Sequence, residues 1–141
     1  MNFSEIKNIT IGDFSKYGVI IDLTPHCSGG WEILVKSENT GWRIAVLEFS
    51  TKTARNLECH PLSKESFEPL SGTALLILAL NDNPQDFEVF LLDKPVCLNE
   101  GIWHQVISCS EASKVKITEN LEVTSEYYEL NGEIKPVLLF N

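Results

Sequence analysis

From Val19 onward the chain is a succession of short apolar or alternating runs cut by turn residues, a pattern that points to an all-β fold. The runs are VIIDL (19–23), WEILVK (31–36), WRIAVLEFS (42–50), TARNLECH (53–60), TALLILAL (73–80), FEVFLL (87–92), PVCL (95–98), WHQVISC (103–109) and KVKIT (114–118). The breaks fall at Ser28-Gly29-Gly30, Asn39-Thr40-Gly41, Ser71-Gly72, Asn81-Asp82-Asn83-Pro84 and Glu100-Gly101, all rich in residues that favour turns. A last pair, SEYYEL and EIKPVLLF, brackets Asn131-Gly132, the strongest short hairpin signal, and Pro136 sets the final strand on an edge. Helical signal is confined to TIGDFSKYG, where Thr10 can cap and Gly18 can end the helix in a left-handed conformation. About ten strands behind one short N-terminal helix make a β-barrel or jelly roll, with residues 1–141 as one domain and the ligand held in its mouth. ALLILAL (74–80) is apolar on both faces, so its second face needs a cover, either another strand or a second subunit.

At 141 residues, such a domain hides roughly two-thirds of its surface. A net charge of −9 excludes nucleic acid, whose phosphates need a surplus of Lys and Arg, and equally disfavours an anionic membrane surface. The longest apolar run is too short to span a bilayer. MNFSEIKNITIGDF has neither the basic start nor the apolar stretch of a secretory signal, and Cys27, Cys59, Cys97 and Cys109 form no C-x-x-C pair. Reduced thiols and a cytoplasmic location are therefore expected, with Cys59 and Cys97 as buried small hydrophobes.

The chemistry concentrates in LECHPLSKESFEPLSG (57–72). Strand alternation puts Glu58 and His60 on one face and Cys59 on the other. Each has an ordinary reading as well: Glu58 as a solvated strand residue, Glu65 as a loop cap or ion-pair partner, His60 and His104 as packed imidazoles. Phe67, Pro69 and Leu70 read as core and turn residues, and the acidic run ENLEVTSEYYEL (119–130) as a solvated surface.

The spacing His60-x4-Glu65-x6-Gly72, followed by Gly101-x2-His104, resembles the two halves of the cupin signature. In cupins, His, Glu and His from adjacent strands ligate a metal inside a jelly-roll barrel. FSKYGVII, LECHPLSKESFEPLSG and GIWH more specifically resemble segments of the ureidoglycolate lyase family, in order across residues 14–123. That resemblance implies a cupin-type jelly roll and a carbon–nitrogen lyase of the amidine-lyase type, acting in allantoin breakdown to split ureidoglycolate into glyoxylate and urea. It also implies a small-molecule substrate with His60 and His104 as acid–base groups, and Glu65 as a further catalytic group and a homodimer are expected beside them. Departures from the family pattern at Cys59, Glu65, Gln105, Leu98-Asn99-Glu100 and, less surely aligned, Glu48 remove positive or add negative charge. They favour a divalent ion (Zn, Mn, Fe or Ni) held by Glu58, His60, Glu65 and His104. Two further readings follow: a metal-dependent cupin of different chemistry, and a non-catalytic small-ligand-binding barrel.

Overall fold

The computed structural model describes residues 3–138. Its elements are β1 (Ile6–Lys7), α1 (Ile11–Phe14), β2 (Gly18–Ile20), β3 (Trp42–Phe49), β4 (Ala54–Cys59), β5 (Glu65–Ser71) and β6 (Ala74–Ala79). There follow β7 (Glu88–Leu92), β8 (Val96–Leu98), β9 (Trp103–Ser108), β10 (Ser113–Asn120) and β11 (Glu126–Ile134). One sheet has the order β1-β7-β6-β9-β4-β11, the other β2-β8-β5-β10-β3. From β3 to β10 the chain passes between the sheets so that β4-β9-β6-β7 faces β3-β10-β5-β8, which is jelly-roll topology. Among the described residues no helix is long and apolar enough to cross a membrane.

The alternation of β6 explains how the two layers close. Ala74, Leu76 and Leu78 point between the sheets with Phe67, Phe90 and Val115, while Leu75, Ile77 and Ala79 point outward with Leu57, Trp103 and Ile107. The outer cluster is covered by the chain itself: Tyr128, Leu130 and Ile134 of β11 pack on it. No second subunit is needed to bury this face, since Leu75, Ile77 and Ala79 are already inaccessible.

The N-terminal helix is a single turn. Thr10 caps it, accepting from the Asp13 N–H at 3.2 Å. Gly18 does not end it: Ser15 does, and Gly18 opens β2 without a positive φ. A Cβ at Gly18 would stand 2.0 Å from the Cys97 carbonyl oxygen, so close strand approach, not a left-handed turn, demands glycine here.

Three other expectations fail for local reasons. WEILVK is not a strand; Glu32 instead accepts from the Thr24 N–H and hydroxyl, both at 2.7 Å, fixing an irregular loop. Asn131-Gly132 makes no hairpin, because β11 runs through it along β4 with one irregularity between Glu129 and Ile134, and Gly132 has no positive φ. The remainder of EIKPVLLF is non-strand through residue 138, so Pro136 sits on no edge strand, and its last residues lie outside the described part.

One ion-pair cluster ties the N-terminus to β7. Lys7, Lys16 and the Tyr17 hydroxyl all reach the Glu88 carboxylate. Burial works to raise the Glu88 pKa, but Lys16, Lys7 and Tyr17 outweigh it and hold the carboxyl at about 2, below its ordinary 4.5. A depressed folded pKa stabilises the protein above the unfolded value and loses that effect as pH falls through the folded one. Glu88→Gln is thus expected to lower the melting temperature at pH 7, the gap from wild type closing as pH falls from about 4.5 towards 2. A gap constant across that window in thermal melts would exclude the linkage.

Candidate active site

Turn chemistry at the end of β4 sets the site. Pro61 forces His60 into an extended conformation as the strand ends. The His60 carbonyl accepts from the Gly101 N–H at 2.9 Å, and Gly101, at φ +76°, turns the chain into β9. Asn81 donates to the Gly101 carbonyl at 2.9 Å. This staple leaves His104 directly opposite Glu58 across β4 and β9. On the facing sheet Glu65 opens β5 opposite Glu119 of β10.

Glu58, His60, Glu65 and His104 come together at this end of the barrel. Glu65 Oε1 lies 2.9 Å from His104 Nε2 and 3.2 Å from His60 Nε2. Glu58 Oε1 lies 3.6 Å from His104 Nε2 and 3.8 Å from His60 Nε2. The ring centroids are 5.3 Å apart, and Phe67 packs edge-on against His104. His60, Glu65 and His104 are buried, whereas the Glu58 side chain keeps 31% of its surface, so solvent reaches the cluster past it.

Each ring is oriented by its other nitrogen. Nδ1 of His104 faces the Ile102 carbonyl at 3.1 Å, and Nδ1 of His60 faces the Thr124 carbonyl at 3.2 Å, with the Ser125 hydroxyl also at 3.2 Å. A carbonyl only accepts, so Nδ1 carries the proton in both rings and both Nε2 atoms turn inward. Burial would lower the His104 pKa, but Glu58 and Glu65 raise it to about 10. Glu65 also raises that of His60, against its burial. Burial alone would raise the Glu65 carboxyl; His104 and His60 hold it at about 2. Hydrogen bonding from His104 lowers Glu58 against burial.

The donor set suits a divalent cation. Ligands about 2.1 Å from a tetrahedral ion stand about 3.4 Å apart, and the four histidine-to-carboxylate distances span 2.9–3.8 Å. Glu65 Oε1 is buried and makes no well-directed hydrogen bond among the described residues, although both ring nitrogens are close. An atom so placed has the geometry of a ligand more than that of a hydrogen-bond acceptor. The outer-face carbonyls would hold the rings for such an ion.

A fifth group escaped sequence reading. Glu119, in the run taken as solvated surface, has a side chain only 8% exposed. One ligand atom from each of His60, Glu65 and Glu119 lies within 4.8 Å of the others, as holds for Glu58, His60 and His104. Extending the alternation of Val115 and Ile117 by one step would have placed it inside. Glu48, by contrast, lies on the exposed side of β3 near Lys114, and the Arg that does approach the site is Arg43, 3.3 Å from Glu119. Cys59 and Cys97 are buried, their thiols pushed up to about 11 chiefly by burial, so neither is a ready nucleophile.

The family model described as Ureidoglycolate lyase matches residues 33–127, spanning β3 to β10 and all five of these side chains. The chain belongs to the ureidoglycolate lyase family. It is similar to a ureidoglycolate lyase of Agrobacterium fabrum (strain C58 / ATCC 33970), with 29% identity over 124 residues, 73% of this chain and 75% of that one. Among solved structures it is similar to two single-site mutants of Bacillus subtilis oxalate decarboxylase, each at 15% identity, with TM-scores of 0.46 and 0.47. Those matches cover 63% of this chain but only 24% of the decarboxylase.

Proposed function

We propose that this family member cleaves the carbon–nitrogen bond of ureidoglycolate, a small hydroxy-acid with a ureido group, releasing glyoxylate and urea as an amidine-lyase. The observation that supports it is the pair of inward-facing Nε2 atoms gathered around Glu65 Oε1 in a buried, family-matched site.

His60, Glu65 and His104, with Glu58, would hold a divalent cation. When bound, the cation supplies the positive charge that a carboxylate-lined site needs to receive an anionic substrate. The two imidazoles then serve as oriented ligands. With Nδ1 of each ring on a backbone carbonyl and Nε2 turned to the ion, neither imidazole would be free to exchange a proton. Glu58, the member of the set that solvent reaches, is placed to carry the proton. With Glu58 Oε1 toward the ring nitrogens, its other oxygen, Oε2, takes the hydroxyl proton as the carbonyl of glyoxylate forms and the C–N bond breaks, and it returns that proton to the departing urea nitrogen. No water is consumed.

Protein purified without chelator is expected to contain about one divalent ion per chain and to release glyoxylate from ureidoglycolate. A chelator should abolish release and added metal should restore it. Release untouched by complete metal removal would return proton transfer to His60 and His104. Metal without glyoxylate would favour a cupin of different chemistry.

A further inference from the structure

Glu119 sits across from Glu65 in the β5–β10 register and across from Arg43 in the β10–β3 register. Its two carboxylate oxygens have different fates. Oε1 lies 3.3 Å from the Arg43 guanidinium, while Oε2 is fully buried and has no hydrogen-bond partner among the described residues. A buried carboxylate oxygen left unpaired costs free energy, so it calls for a donor that arrives with a ligand. Glu119 and Glu65 each offer a carboxylate oxygen within 4.8 Å of a His60 ring nitrogen, which places the Glu119 carboxylate beside the reacting centre.

The chemistry narrows the donor. His60 turns only Nε2 inward, because its Nδ1 is engaged by Thr124 and Ser125, and Nε2 already lies beside Glu65 and Glu58. One ring nitrogen cannot serve two metal ions, so a separate cation at Glu119 would lack its imidazole. A carboxylate with one oxygen anchored by Arg and the other free is instead an acceptor for N–H groups. A ureido group presents such N–H groups at the end of the molecule away from its carboxylate.

We propose that Glu119 is the specificity-determining residue for the ureido end of the ligand, its free Oε2 accepting a ureido N–H while Arg43 fixes the carboxylate from the other side. This rests on the reading of the site as one for ureidoglycolate, and extends it to the group that distinguishes a ureido acid from a plain hydroxy acid.

The test uses N-carbamoylglycine, which keeps the ureido group and carboxylate but lacks the hydroxyl and so cannot react, against glycolate, which lacks the ureido group. Binding of each to protein purified without chelator is measured by calorimetry for wild type, Glu119→Gln and Arg43→Gln, alongside metal content and melting temperature. Glu119→Gln is expected to weaken N-carbamoylglycine at least about tenfold, the loss of a charge-assisted hydrogen bond, with glycolate changed less than about twofold and metal content unchanged. Arg43→Gln, which leaves the carboxylate in place, is expected to weaken N-carbamoylglycine by a smaller factor, and it carries the test should Glu119→Gln not fold. Equal weakening of both ligands, no weakening of either, no binding of N-carbamoylglycine to wild type, or a fall in metal content with Glu119→Gln would each overturn the assignment. Failure of the lyase reading is separable: it shows as absent glyoxylate release from wild type, while Glu119-dependent binding of N-carbamoylglycine persists.

Discussion

His104→Gln is expected to remove bound metal and glyoxylate release together. His104 is the most constrained member of the site, with Nε2 2.9 Å from Glu65, Nδ1 tied to Ile102 and its ring against Phe67. Changing even an outer-shell partner of a metal ligand costs about 10- to 100-fold in affinity or activity, so losing the ligand itself should cost at least about 100-fold. The ion-free protein suffers as well. Without the imidazole, Glu65 keeps only His60, and Glu58 and Glu65 face a site with less counter-charge. Breaking a buried pair from one side destabilises by about 3 kcal/mol or more. Metal analysis, glyoxylate release and thermal melting of the same preparation check all three effects. A variant that keeps its metal and melts like wild type would remove His104 from the site.

The runs legible in the sequence are those where alternation or continuous apolarity is strong: β3, β4 and β6 to β10 fall within two residues of their expected bounds. β5 was hidden because ESFEPLS carries two Glu residues and a Pro. Pro69 is tolerated there because the β5–β10 ladder shifts register between Lys114 and Val115, and Val115 pairs with Pro69 at that irregularity. The two Glu residues then split by parity, Glu65 inward to the histidines and Glu68 outward to Lys116. Recognition of β5 as a strand is also what explains how Glu65 comes to face His104, which no spacing within one segment could show. The pairing of Glu58 with His104 spans forty-six positions, and contacts between the two strands fix it: the staple of His60 to Gly101 at one end and Gln105 donating to Asn56 beside it. Glu119 stayed hidden because charge in a polar run reads as solvated surface unless the strand is traced to its last residue.

Glu65→Gln exchanges one of the two carboxylates nearest the imidazoles for a neutral amide, and its expected effect follows from charge. Glu65 Oε1 lies within 3.2 Å of both inward ring nitrogens. An amide of the same shape still fills the space and can accept one ring N–H, but it carries no charge to offset a cation or two protonated imidazoles. Metal affinity is therefore expected to fall by about 10-fold or more, in line with losing a charged ligand from a set of four. In ion-free protein the two rings, 5.3 Å apart, lose the carboxylate they share, so the His60 pKa should drop from its raised position. Nuclear magnetic resonance titration of the histidines in metal-free protein, paired with metal analysis of protein purified without chelator, reads both consequences. Full metal occupancy would mean that Glu65 is not a ligand and that the cation rests on Glu58, His60 and His104. An unmoved His60 titration would mean that the carboxylate does not act on the ring at all, and the cluster would lose the charge coupling from which the proposed chemistry is built.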